Sequence, residues 1–140
     1  MVTGGASGIG AGIASALSAD GLDVFVLDNN PLHVEAYNTS HALARARLCD
    51  VTSPQSVSDE IAGIIQVAGR IDVLVNNAGV SGPTAPVEDV SPKDWQQTLD
   101  VSLSGAFHLT RIIVPIMKAQ RTGVIINISS VHEIIPKPGF

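Results

Sequence analysis

The sequence predicts a doubly wound α/β fold, a parallel sheet with helices on both faces, on three observations. A glycine-rich turn, Thr3-Gly4-Gly5-Ala6-Ser7-Gly8-Ile9-Gly10, follows a short apolar start and opens a helical pattern. Val24-Phe25-Val26-Leu27 is a continuous apolar run, as a strand covered on both faces requires. Runs of this kind then alternate with helix-length stretches along the chain, which implies right-handed crossovers and one parallel sheet.

Met1-Val2-Thr3 reads as the end of a first strand, short against the usual length of about five to six residues. The helix after the glycines places Ile9, Ile13 and Leu17 on one face, and Gly21 suits its C-terminal stop. The second strand ends at Asp28. Asn30-Pro31 then supplies a cap and first turn for a second helix, weakly periodic, reaching about Ala44. A third strand covers Arg45 to Cys49, with the single Cys49 as plain core, and Asp50-Val51-Thr52 follows. Ser53-Pro54 starts a third helix with Val57, Ile61, Ile64, Ile65 and Ala68 on its buried face, and Gly69 ends it. Ile71 to Val75 is the fourth strand, closed by Asn76-Asn77-Ala78-Gly79. Beyond a loop with Gly82, Pro83 and Pro86, Ser91-Pro92-Lys93-Asp94 has the cap, proline and acid of a helix start. Trp95, Leu99, Leu103, Phe107, Thr110, Ile113/Val114 and Met117 then form one face of a long helix to about Ala119, with a kink expected at Pro115. Val124 to Ile128 is the fifth strand, and Ser129 to Phe140 reads as loop. No repeat or linker divides the chain, so residues 1–140 are read as one domain.

Composition narrows the function. The chain is 45% hydrophobic and 15% charged, which is globular rather than disordered. Net charge is −5 with no basic run, which argues against nucleic acid as a partner. No apolar run is read as long enough to span a membrane, and no signal-peptide pattern opens the chain, so a cytoplasmic protein is expected. His33, His41, His108 and His132 have no metal-ligand spacing, and no metal is expected.

The glycine turn carries the first chemistry. Such glycines let a backbone turn sharply off a strand, approach a phosphate, and pack the next helix closely. That helix start offers free N–H groups and a positive dipole end to an anion.

The glycine turn, Asp50-Val51, Asn76-Asn77-Ala78-Gly79 and Asn127-Ile128-Ser129-Ser130 occur in one order at one set of spacings. Together they resemble the short-chain dehydrogenase/reductase family over all 140 residues. The resemblance implies a Rossmann-type sheet, strand order 3-2-1-4-5, with a nicotinamide dinucleotide beyond the carboxyl ends of the strands. Cofactor contacts are then expected from Thr3, Gly4, Ser7, Gly8, Ile9, Gly10, Asp28, Asp50, Val51, Asn77, Ala78 and Gly79. Asp28 would bond the adenosine ribose hydroxyls and repel a 2′-phosphate, favouring NAD over NADP; alternatively it only precedes the helix that Asn30 caps. Asp50 would hold the adenine amino group with Val51 beside it, or be a turn aspartate. Thr3 is expected to bond the backbone of the Asn76–Gly79 segment, whose asparagines also satisfy buried backbone groups. Ser130, rather than Ser129, matches the family's catalytic serine, which bonds the substrate oxygen.

The sequence also departs from the pattern. The family needs a tyrosine with a lysine four residues later, because hydride leaves a carbinol carbon only as the hydroxyl loses its proton. The one tyrosine, Tyr37, is followed four positions on by His41 and stands in another region; the family's tyrosine is expected a few positions beyond Phe140. The family's first strand is expected to begin several residues before Met1. Ser102 stands where the family usually has an asparagine that supports a proton path, and it is expected to bond back to its own helix. His132-Glu133 lies beside the expected substrate region, as a contact or as solvated loop.

The resemblance thus implies an NAD-dependent oxidoreductase, moving hydride between a secondary alcohol or sugar hydroxyl and nicotinamide, in a homo-oligomer. The alternative is a non-catalytic NAD-binding fragment or inactive remnant, and these 140 residues alone are expected to show no turnover. An uncovered fifth strand and an exposed long helix are expected to make them self-associate.

Overall fold

The computed structural model describes residues 1–40, 45–131 and 134–135. Five parallel strands form one sheet in the order β3-β2-β1-β4-β5: β1 Val2–Thr3, β2 Phe25–Asp28, β3 Arg45–Leu48, β4 Val73–Asn76 and β5 Val124–Asn127. The order that the family resemblance implies is the order found. It reverses between β1 and β4, so the loops leaving their carboxyl ends diverge and open a crevice.

The central strand is the shortest. β1 pairs Val2 with Val26 on one side and with Val75 on the other. The ladder is extended at Met1, whose carbonyl accepts from the Val75 amide at 2.9 Å. All four residues of β2 are buried, as its unbroken apolar pattern requires.

The helices are α1 Gly8–Ala19, α2 Pro31–Ser40, α3 Pro54–Ala68, α4 Pro92–Leu99 and α5 Gly105–Gln120. Their ends follow local chemistry. The Ser53 and Ser91 side chains accept from the Ser56 and Asp94 amides, each one residue before a proline in the first turn. Gly69 closes α3 in the left-handed conformation at φ 72°. α2 is described to Ser40, and the expectation that it reaches Ala44 falls outside the described residues. A short 3-10 turn, Val87–Asp89, lies in the loop before α4 and was not expected.

Two helical faces differ from the sequence reading. On α1 the fully covered positions are Gly10 and Ala14, while Ile9 is 71% exposed and Ile13 and Leu17 only flank the core. The helix lies so close to the sheet that only small residues fit between them. The long helix is interrupted by a π turn, Asp100–Ser104, between α4 and α5. A π turn holds an extra residue, so the buried face rotates. Beyond it Gly105, Leu109, Ile113 and Met117 are buried, whereas Trp95, Leu103 and Phe107 are 59%, 65% and 57% exposed. Pro115 sits inside α5 without ending it. Because α4, the π turn and α5 run on as 29 helical residues, this segment is long and apolar enough to cross a membrane by length and composition. That corrects the sequence estimate; here its inner face packs on α3 and β4.

The core has two parts. Phe25, Leu27, Val57, Ile61, Ile64, Leu74, Leu109 and Ile113 pack between the sheet and α3 and α5. Val2, Ala14, Val26, Tyr37 and Val75 pack on the α1 and α2 side. The β5 edge is thinly covered, with Val124, Ile126 and Ile128 at 54%, 42% and 40% exposure.

Candidate functional site

The crevice at the switch point is built from backbone geometry. Gly4 turns the chain off β1 at φ +58°, and a Cβ there would stand 3.0 Å from the Ala78 Cα. Gly10 brings α1 against that turn: a Cβ on it would lie 2.2 Å from the Gly4 carbonyl oxygen and 2.5 Å from Asn77 Nδ2. Only glycine permits that approach.

Two side chains lock the turn to the end of β4. Thr3 Oγ1 accepts from the amides of Asn77 and Ala78 at 3.1 and 3.0 Å and donates to the Val75 carbonyl at 3.4 Å. Asn77 Nδ2 donates to the carbonyls of Thr3 and Gly4 at 2.9 and 3.0 Å. A buried Thr and an amide thus pair backbone groups that a two-residue strand leaves over.

α1 then begins with its end toward the crevice. Its first internal bond runs from the Ala11 amide to the Ser7 carbonyl, so the amides of residues 8 to 10 have no acceptor inside the helix. Ser7 makes no capping bond with its side chain. A Cβ on Gly8 would meet nothing within 4 Å, so open space lies over this helix start.

From here a trough runs in two directions. One half, ≈ 320 Å³, is bounded by Gly4, Ser7, Asp28, Asp50, Val51 and Asn77. Asp28 ends β2 and is 7% exposed. Its Oδ2 accepts from the Ala6 amide at 3.2 Å and its Oδ1 from the Asn30 amide at 3.0 Å. A carboxylate has about four lone-pair sites, so two backbone bonds leave capacity for hydroxyls. Asp50 Oδ1 accepts from the Thr52 amide and hydroxyl at 2.9 and 2.8 Å, which shapes its own turn. Behind that turn, His108 Nδ1 lies 3.0 Å from the Val51 carbonyl oxygen; a carbonyl only accepts, so Nδ1 carries the hydrogen. Cys49 is buried at the back of this half, and burial pushes its thiol up from the ordinary range.

The other half, ≈ 860 Å³, includes Ile9, Ser102, Phe107, Thr110, Ser129 and Ser130. Both volumes lie in the range of small-molecule sites, ~300–1,000 Å³. Asn77, Ala78, Gly79 and Val80 bound both halves, so they form one continuous trough. At its base Asn76 Nδ2 donates to Asn127 Oδ1 at 2.8 Å and to Thr110 Oγ1 at 3.3 Å, while the buried Asn76 Oδ1 has no partner among the described residues.

The structure therefore brings Thr3, Gly4, Ser7, Gly8, Ile9, Gly10, Asp28, Asp50, Val51, Asn77, Ala78, Gly79, Ser102 and Ser130 to one trough or its framework. Ser102 differs from its expected contact. Its hydroxyl accepts from the Val80 amide at 3.2 Å and donates to the Val80 carbonyl at 3.3 Å, instead of bonding within its own helix. The π turn swings it outward to reach that loop. His132 and Glu133 lie outside the described residues. Sequence reasoning missed Asn29, His33, Gln97, Val101, Leu103 and Phe107 as lining residues. Leu103 and Phe107 read only as part of one long helix face, because their spacing suits an uninterrupted helix; His33 had only its place in the first turn of α2 as a signal.

The sequence profile described as short chain dehydrogenase matches residues 1–140. The chain belongs to the short-chain dehydrogenase family. It is 34% identical, over 99% of its length and 58% of the relative's, to a 3-oxoacyl-[acyl-carrier-protein] reductase of Thermotoga maritima. An NAD+-bound xylitol dehydrogenase superposes with a TM-score of 0.93 at 33% identity, covering 99% of this chain and 55% of that one. A metagenomic short-chain oxidoreductase in complex with NADP gives 0.90 at 32% identity, over 99% and 64% of the two chains. This short-chain dehydrogenase sequence thus spans little more than half the length of the relatives it matches. They include dehydrogenases and reductases, with NAD+ in one structure and NADP in another.

Proposed function

We propose that the protein carrying this chain is an NAD-dependent oxidoreductase that moves hydride between a secondary alcohol or sugar hydroxyl and a nicotinamide. The observation that carries the reading is the trough itself: a glycine turn and an open helix start at its centre, the buried Asp28 carboxylate at one end and Ser130 in the other half. The cradle fits a dinucleotide, because the helix start is open over Gly8 and its first amides lack internal acceptors.

In this reading the amides of Ser7 to Gly10 hold the diphosphate, Asp28 the adenosine ribose, and Asp50 and Val51 the adenine. Asn77, Ala78 and Gly79 run past the second ribose. A bound nicotinamide supplies the hydride acceptor or donor. Ser130 holds the substrate oxygen by hydrogen bond. Ile9, Leu103 and Phe107 form an apolar wall on that side. Asp28, with no lysine or arginine among the described residues of its half, supports NAD over its 2′-phosphorylated form. Exposed Val87 and Trp95, which lie together outside the trough, support a homo-oligomer.

The alternative reading is dinucleotide binding without turnover. One experiment separates the two. In the full natural chain, NAD+-dependent oxidation of secondary alcohols and polyols is measured for wild type and Ser130→Ala. The variant is expected to lose about a hundredfold in kcat while binding NAD+ normally. Unchanged kcat in Ser130→Ala overturns its role, and NAD+ binding with no turnover on any substrate favours the second reading.

A further inference from the structure

Beyond Asp28, one more group stands at the ribose corner. His33 lies in the first turn of α2, with its backbone amide 3.4 Å from Asn30 Oδ1. Its imidazole faces the same half-trough as Asp28, Asn29, Asn30 and Asp50. Nδ1 is 3.9 Å from Asp28 Oδ1, and the ring is about half exposed (48%) while Asp28 is buried. So the carboxylate expected to repel a 2′-phosphate has a chargeable neighbour on its solvent side. The start of α2 adds a positive dipole end at that corner.

Other charged groups border this corner. Asp28 and Asp50 are the other ionisable carboxylates of this half. From β3, Arg45 and Arg47 are engaged by Asp23 and Glu60. Glu35, on α2 itself, is exposed. Lys93, on α4, borders the neighbouring groove with Asn29 and Asp50. α1 and the glycine turn contribute no charged side chain.

We propose that His33 is a second determinant of dinucleotide choice: neutral, it leaves Asp28 to exclude a 2′-phosphate; protonated, it offsets Asp28 and admits one. This rests on the NAD reading above. Histidine is the side chain suited to such a change near neutrality.

The test is calorimetric binding of NAD+ and NADP+ to the full natural chain at about pH 5.5 and about pH 8, the span in which histidines change charge. Wild type, His33→Gln and His33→Lys are compared. The ratio of the two dissociation constants, NADP+ over NAD+, is expected to fall about tenfold in wild type from high to low pH, one local charge being worth that much. In His33→Gln it should stay within about twofold of its high-pH value. In His33→Lys it should be low at both pH values. An equal fall in His33→Gln assigns the effect to the phosphate's own protonation and overturns the proposal. So does a wild-type ratio that does not move, or a His33→Lys ratio equal to wild type at high pH. NADP+ binding as tight as NAD+ at high pH, in wild type, instead sinks the NAD reading, and binding of neither sinks both.

Discussion

The two halves of the trough are made differently. Around the glycine turn, Thr3, Gly4, Gly10, Asn77 and Ala78 meet at contact distance, with five side-chain-to-backbone bonds joining β1 to the end of β4. Around Ser130 the boundary is wider, and Leu103, Phe107 and Ile128 stand 65%, 57% and 40% exposed. The first half is positioned by backbone and cannot give; the second is a surface on which side chains can change without disturbing the sheet. Under the proposed function, the dinucleotide, whose shape is constant, takes the rigid half, and the variable substrate takes the open one.

Substitutions can break that contrast. Gly10→Ala should have the largest effect, about 3 kcal/mol of lost stability, because the new methyl overlaps the Gly4 carbonyl and Asn77. Chemical denaturation of the full chain measures it, and a loss under about 1 kcal/mol would show that the rigid half can relax after all. Ser102→Ala sits on the seam. It removes both bonds to Val80 and should cost about 1 kcal/mol, with faster hydrogen exchange at the Val80 amide. Unchanged exchange there would mean that the loop is held by other contacts. Ile126→Lys, on the exposed side of β5, should change the stability of the 140-residue chain by less than about 0.5 kcal/mol while reducing its self-association in sedimentation. Strong destabilisation would place Ile126 in a covered core and erase the contrast at that edge.

The rigid half was also the legible half. Glycines, caps and the apolar strands announce themselves through local chemistry, so the α3 face from Val57 to Ile64 and the caps at Ser53 and Ser91 were readable, while the strand order came from the family resemblance. The open half was not, for one physical reason: a π turn has no strong residue signature, and it rotates everything after it. The single face read from Leu103 through Phe107 to Met117 therefore splits: Leu103 and Phe107 stand at the surface, while Ile113 and Met117 are buried. Ser102 was misplaced for the same reason, since its contact with Val80 depends on that turn. Ile9 misled differently. Its spacing fits a buried face, but the close approach at Gly10 gives that face to glycine and alanine.

α5 touches both ends of the trough. Its Gly105 and His108 grip the Val51 turn, where a Cβ on Gly105 would lie 2.8 Å from Val51 Cγ2, and its Phe107 and Thr110 wall the Ser130 side. The chain has thus tied the two ends of the trough with a stiff beam as well as with the loop of residues 79 to 81. A beam fixes the distance between its attachments, so it works as a ruler: the span between the Val51 turn and the wall at Phe107 is set by helical rise along a single turn.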